Sequence, residues 1–148
     1  MSETIAVLCP AGPGDVLPEW AADFGGVVLP ATEPGTAASW VAQAALSLHA
    51  ALESLSPALS VTLVAVGTAP TLVPHLGFAA RAARRPISCY VLVDGELPSA
   101  SARGTDWPDA PVVVVCPAES AVAAQAALRG WEVLGGDPAD MIAELARR

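Results

Sequence analysis

The stretch from Ser60 to Ala83, SVTLVAVGTAPTLVPHLGFAARAA, constrains the fold of this chain more than any other. Ser60–Val66 is a short, β-branched, nearly all-apolar run without polar alternation, the pattern of a parallel strand covered on both faces. Gly67 stops it. Pro70, Thr71 and Pro74 then suit the first turn of a helix, where a missing N–H is tolerated, and Leu72, Leu76, Ala79, Ala80 and Ala83 continue at helical spacing. A buried strand that reverses into a helix within a few residues belongs in a parallel α/β sheet.

The rest of the chain repeats this alternation. Thr4–Cys9 reads as the first buried strand, followed by the loop Pro10-Ala11-Gly12-Pro13-Gly14-Asp15. Glu19–Phe24 predicts a short helix with Trp20 and Phe24 one turn apart, and Gly26–Leu29 a second strand. Trp40, Val41, Ala44, Ala45, Leu48, Leu52 and Leu55 then mark a strong amphipathic helix, with Thr36 as N-cap and Pro57 beyond its end. Arg84-Arg85-Pro86 ends the helix of the central stretch. Ile87–Val93 is the next strand, closing on Asp94-Gly95-Glu96, and Pro111–Val115 follows after a Pro/Ser/Gly loop over 97–110. Ser120 caps a helix through Arg129, with Gly130 as its stop; Trp131–Leu134 is a last short strand; Asp137 caps the terminal helix, with Pro138 at its first position. Six strands alternating with five helical segments predict a single three-layer αβα domain. Its sheet should be mostly parallel, in the order 2-1-3-4-5-6, with a switch point between the first and third strands.

Composition narrows the function classes. At 148 residues the chain has the size of one domain, and a net charge of −8 argues against nucleic acid as a partner. No apolar run approaches the roughly 20 residues of a membrane span, and no signal-like segment opens the chain, so a cytoplasmic protein with no membrane partner is expected. Hydrophobic residues make up 53% of the chain and charged ones only 15%, which leaves apolar surface once a core is filled and predicts a homodimer or a protein partner. The basic residues are all Arg, and with the abundant Ala this matches the usage of a GC-rich genome. Cys9, Cys89 and Cys116 lack C-x-x-C spacing, so neither a metal site nor a disulfide framework is expected. No G-x-G-x-x-G follows the first strand, and the glycines of its loop lack the lysine of a phosphate loop. No cofactor is therefore implied.

Gly67-Thr68-Ala69-Pro70-Thr71 resembles the nucleophile elbow of the α/β-hydrolase superfamily, a G-x-S-x-G turn that lifts a serine above the carboxyl edge of the sheet. The resemblance extends at low specificity along nearly the whole chain, from a strand with an oxyanion loop to a terminal helix, and leaves out the family's first antiparallel strands and its lid. It implies a triad, and the triad fails position by position. Ala69 fills the serine slot and has no nucleophile; Pro70 follows it and has no N–H to stabilise an oxyanion. Cys9-Pro10 stands where the other oxyanion donor often begins as His-Gly. The acid would be Asp94 or Glu119. After Gly135-Gly136, where the histidine is expected, stands Asp137, which helix capping already explains. The resemblance thus implies a catalytically degenerate relative acting as a partner subunit or binding module.

A second reading is an enzyme of atypical chemistry at the carboxyl edge. Asp94 or Glu96 with Glu119 would form a carboxylate pair for acid–base work; Cys9 or Cys116 with His75 would form a nucleophile and base. A third is an unrelated flavodoxin-like or Rossmann-like binder. In each case the cleft is expected around Pro10, Gly12, Thr68, Ala69, Pro70, Trp107 and Cys116, with a small molecule or peptide as its occupant.

Overall fold

The computed structural model describes residues 3–99 and 107–147. Six strands form one all-parallel sheet: β1 (Thr4–Leu8), β2 (Val27–Val28), β3 (Ser60–Val66), β4 (Cys89–Val93), β5 (Val112–Val115) and β6 (Glu132–Leu134), in the order β2-β1-β3-β4-β5-β6. The predicted α/β architecture and strand order are those of the molecule. β1 lies in register with β3 from Thr4↔Ser60 to Leu8↔Val64, and β3 with β4 from Thr62↔Cys89 to Val66↔Val93.

The alternation of side chains along each strand separates two cores. On one face Val7, Val61, Leu63, Ala65, Tyr90, Leu92, Val112 and Val114 meet three helices: α1 (Ala37–Glu53), α2 (Val73–Ala82) and α3 (Ala121–Leu128). Trp40, Ala44, Leu48 and Leu52 of α1 are buried there at i, i+4 spacing, so truncating Leu48 to Ala would cost about 2–5 kcal/mol. On the other face Ala6, Leu8, Val64, Val91, Val93, Val113 and Val115 are covered by Ala21, Ile142 and Leu145, the last two from α4 (Pro138–Ala146).

Local chemistry sets the element ends. Thr36 accepts from the Ser39 N–H, Ser120 from the Ala123 N–H and Asp137 from the Asp140 N–H, so all three predicted N-caps are formed. Several boundaries differ from expectation, three of them for a local physical reason or with a bond that continues the ladder. Glu19–Asp23 is a 3-10 turn, because Pro18 before it and Gly25-Gly26 after it leave too few residues to propagate an α-helix. The helix expected from Pro70 begins as a 3-10 turn over Ala69–Leu72, with Thr71 N–H donating to the Thr68 carbonyl; Pro70 and Pro74 supply no donors, and the α-helical ladder starts only at Val73. β4 starts at Cys89, two residues later than expected, although Ser88 N–H already donates to Val61 O.

Candidate functional site at the carboxyl edge of the sheet

An open α/β sheet offers its ligand crevice at the carboxyl ends of the strands, where the order reverses. Here that point lies between β1 and β3, and a loop bridges it. Asp15, carried over by the loop after β1, accepts hydrogen bonds at Oδ2 from the Thr68 N–H (2.8 Å) and the Thr68 hydroxyl (2.7 Å). These two bonds, the backbone one foremost, hold the Asp15 carboxyl below its ordinary range. Two glycines make the approach feasible. A Cβ on Gly12 would collide with Thr68 Oγ1, and one on Gly67, which sits at φ +71°, would lie 2.6 Å from Asp15 Oδ2.

The bridge divides the edge into two crevices. One, of about 480 Å³, opens above β3, β4 and β5 and is lined by Asp15, Thr68, Asp94, Glu96, Cys116 and Ser120, with Val122 as an apolar wall. The other, also about 480 Å³, lies above β1 and β2 between Gly12–Asp15 and Ala31–Thr36, with Trp40 at its base. Trp40 Nε1 donates to the Ala11 carbonyl (2.7 Å) and so ties α1 to the loop that forms the bridge.

The first crevice is built by the turns after three adjacent strands. Asp94 takes φ +45°, the left-handed region, and its N–H donates to Val115 O. Gly95 packs so closely on the Gly67 carbonyl that no side chain fits, and Glu96 N–H donates to that same oxygen (3.2 Å). The Ser120 hydroxyl lies 2.8 Å from Pro117 O and 3.6 Å from Cys116 Sγ. Among the described residues, three carboxylates and no cationic side chain line this crevice. The described arginines are elsewhere: Arg81, Arg84 and Arg85 lie in or just after the C-terminal turn of α2, and Arg129 and Arg147 are the C-caps of α3 and α4, the helix ends that return to the amino edge of the sheet. The N-terminus of α3 contributes about half a positive charge at the crevice. Among the described residues, the three acidic groups outweigh it.

Several expected site residues are placed differently. Ala69 is 0% exposed and belongs to the core beneath the helices, and Pro70 is buried beside it. The middle residue of the turn faces inward, because the left-handed step of the turn is taken by Gly67 and Ala69 itself has negative φ. Pro10 is buried as well, and Gly12 lines the second crevice. Trp107 packs edge-on against Tyr90 (centroids 5.2 Å apart) and Trp131 (5.8 Å), within the core on the helix side, and lines neither crevice. Of the expected cleft, Thr68 and Cys116 line the first crevice. The predicted loop over 97–110 falls partly outside the described residues.

Among the candidate catalytic groups, Asp94 lines the first crevice, while Glu119 is exposed and lines neither. Cys9 is 1% exposed, and burial pushes its thiol up to about 12, which removes the thiolate needed for attack. His75 is exposed on α2, and among the described residues no hydrogen bond joins it to Cys9 or Cys116. Asp137 is occupied as the N-cap of α4. No group of three or more potential metal ligands occurs among the described residues, and the three cysteines form no disulfide. Sequence reasoning missed Asp15: it had only its place after a Gly-Pro-Gly loop, and its partner lies 53 residues away. Comparisons with protein-family models, with curated proteins and with solved structures find no match.

Proposed function

We propose that this chain is a non-hydrolytic binding module on an α/β-hydrolase-like sheet, and that the crevice above β3–β5 takes a small molecule or peptide terminus bearing an ammonium or guanidinium group. The turn at Ala69 carries this reading: the residue in the serine slot is a methyl group, fully buried, followed by a proline. A nucleophile there would need both a new side chain and a new path to solvent. The helices α1–α3 lie on one face and the 3-10 turn and α4 on the other, as right-handed crossovers require of any parallel sheet in this order.

What remains at the edge is a recognition surface. Asp94 and Glu96 offer charge, Thr68 and Ser120 hydroxyl groups, and Val122 a short apolar wall. The alternative, an atypical enzyme using Asp94, Glu119 and Cys9, retains only Asp94 in the crevice.

Titration calorimetry with benzylammonium, arginine amide and spermidine, each against a carboxylate of matched size, tests the proposal. The cations should bind, more weakly as salt rises, and a Asp94→Asn/Glu96→Gln variant should lose about tenfold or more in affinity. Equal affinity for the carboxylates, or steady turnover of an ester by the wild type, would contradict it.

A further inference from the structure

β2 covers only half of the strand beside it. Its two residues pair with Val7 and Leu8, and on that side Thr4 and Ile5 of β1 have no strand neighbour among the described residues. The ladder to β3 fixes which backbone groups face the gap. Ser60 N–H donates to Glu3 O and Cys9 N–H to Val64 O, so Glu3, Ile5, Val7 and Cys9 turn their N–H and C=O groups toward β3, whereas Thr4, Ala6 and Leu8 turn theirs toward β2. Leu29 N–H, which donates to Leu8 O, follows the same alternation. The Ala6 carbonyl meets Val27 in the register Val7↔Val27. The Thr4 carbonyl and the Ala6 N–H meet no hydrogen-bond partner among the described residues. Ala6 is only 8% exposed, and an orphaned backbone N–H at such burial is rare.

These two groups border a cavity of about 510 Å³, walled by Trp20, Phe24 and, from α4, Ile142 and Ala143. The ring centres of Trp20 and Phe24 are 6.4 Å apart. Asp23 is the one charged residue among the described residues that line it. Strand pairing begins only at Val27, and the chain before it is held off β1's open edge, since a Cβ at Gly26 would collide with the Ala6 carbonyl and the Phe24 ring.

We propose that this gap takes a short extended peptide segment, paired with β1 through its backbone and seating an apolar side chain in the cavity. The free groups have the spacing of a parallel ladder: one residue opposite Ile5 donates its N–H to Thr4 O and accepts at its C=O from Ala6 N–H, as Val27 does opposite Val7. Side chains alternate between faces along an extended segment, so the preceding residue, beside Thr4, turns its side chain to the face of Ala6, where Trp20, Phe24 and Ile142 pack. Gly25-Gly26 stands in the way of further pairing, and the segment ends or bends away after the paired residue. Asp23 and the net charge of −8 exclude carboxylates from the bound part. The gap lies at the amino half of β1, away from the crevices at the carboxyl ends, so this inference goes beyond the binding proposal and stands or falls without it.

An NMR titration of the isotope-labelled protein with acetyl-Phe-Ala methylamide tests it, with Phe beside Thr4 and Ala opposite Ile5. The Ala6 amide proton should move downfield and saturate with a dissociation constant on the order of 0.1–1 mM, as suits a single paired residue. The ester analogue, with lactate in place of the alanine, keeps the apolar side chain and lacks the donor to Thr4 O; it should bind roughly three- to tenfold more weakly. Acetyl-Gly-Ala methylamide, without the side chain, should not saturate the shift. Ala143→Phe fills the cavity from an exposed helix position and should abolish binding without lowering the melting temperature. An Ala6 amide unmoved at about 10 mM peptide would overturn the proposal. So would equal affinity for the ester and the amide in the wild type, a comparison that holds even if Ala143→Phe fails to fold.

Discussion

Asp15 Oδ2 accepts both the backbone N–H and the hydroxyl hydrogen of Thr68, so two loops 53 residues apart in sequence are tied across the switch point of the sheet. This contact turns one open sheet-edge groove into two crevices. It also gives the edge a pH response. Both bonds favour the ionised carboxyl and lower its pKa below the ordinary 3.8. The folded pKa is the lower one, so the contribution to stability is fully present above the unfolded value and is lost as pH falls through the folded value.

Asp15→Ala should therefore destabilise the protein at neutral pH by about 1 kcal/mol, in the range of solvent-accessible hydrogen bonds. The difference from wild type, read as urea midpoints, should narrow below about pH 4. A difference that stays constant down to about pH 2 would show that the carboxyl charge contributes nothing.

A second contact of this kind joins α2 to β4. Tyr90 is buried, its hydroxyl donates to Asp109 Oδ1 (2.8 Å), and its position leaves no room for a Cβ at Gly77. Burial and the Asp109 carboxylate both raise the Tyr90 pKa. Gly77→Ala should lower stability by about 1–3 kcal/mol, because overpacking exceeds the roughly 1 kcal/mol gained in helix propensity. Equilibrium unfolding measures this. A stabilised variant would place the tyrosine elsewhere.

The Cys9 thiol, buried and raised to about 12, should resist alkylation at neutral pH for as long as the chain is folded. Peptide mapping after iodoacetamide treatment in water and in denaturant checks this: modification of Cys9 should require denaturant. Rapid modification in water would mean that β1 opens locally.

Much of the fold could be read from the sequence because its signals are local. Short apolar runs fix the six strands, and Thr36, Ser120 and Asp137 fix three helix starts through bonds to residues three positions on. The site was less legible. Whether Ala69 faces a cleft or the core depends on which residue of the turn takes positive φ; Gly67, without a Cβ, takes it, whereas the elbow resemblance places that step at position 69. Trp107 lies in a Pro/Ser/Gly loop and reads as a cleft residue, yet Tyr90 and Trp131, distant in sequence, form its socket. Asp15 is invisible for the same reason, since its meaning lies in Thr68. Residues whose role rests on contacts distant in sequence cannot be recognised from their neighbours.

In the proposed binding module, the turn at Ala69 is without hydrolytic chemistry through its shape as well as its side chain. Removal of one oxyanion donor costs about 10²–10³ in rate in a well-studied hydrolase, and here the burial of position 69 adds to the loss. The direct test is labelling of folded Ala69→Ser with a serine-directed fluorophosphonate, followed by peptide mapping. The buried hydroxyl, beside Pro70 and without an imidazole, should remain unlabelled over hours, as should the wild type throughout. Stoichiometric labelling at position 69 would contradict the account, because it would require an exposed nucleophile and a working oxyanion site where the structure has a buried methyl group.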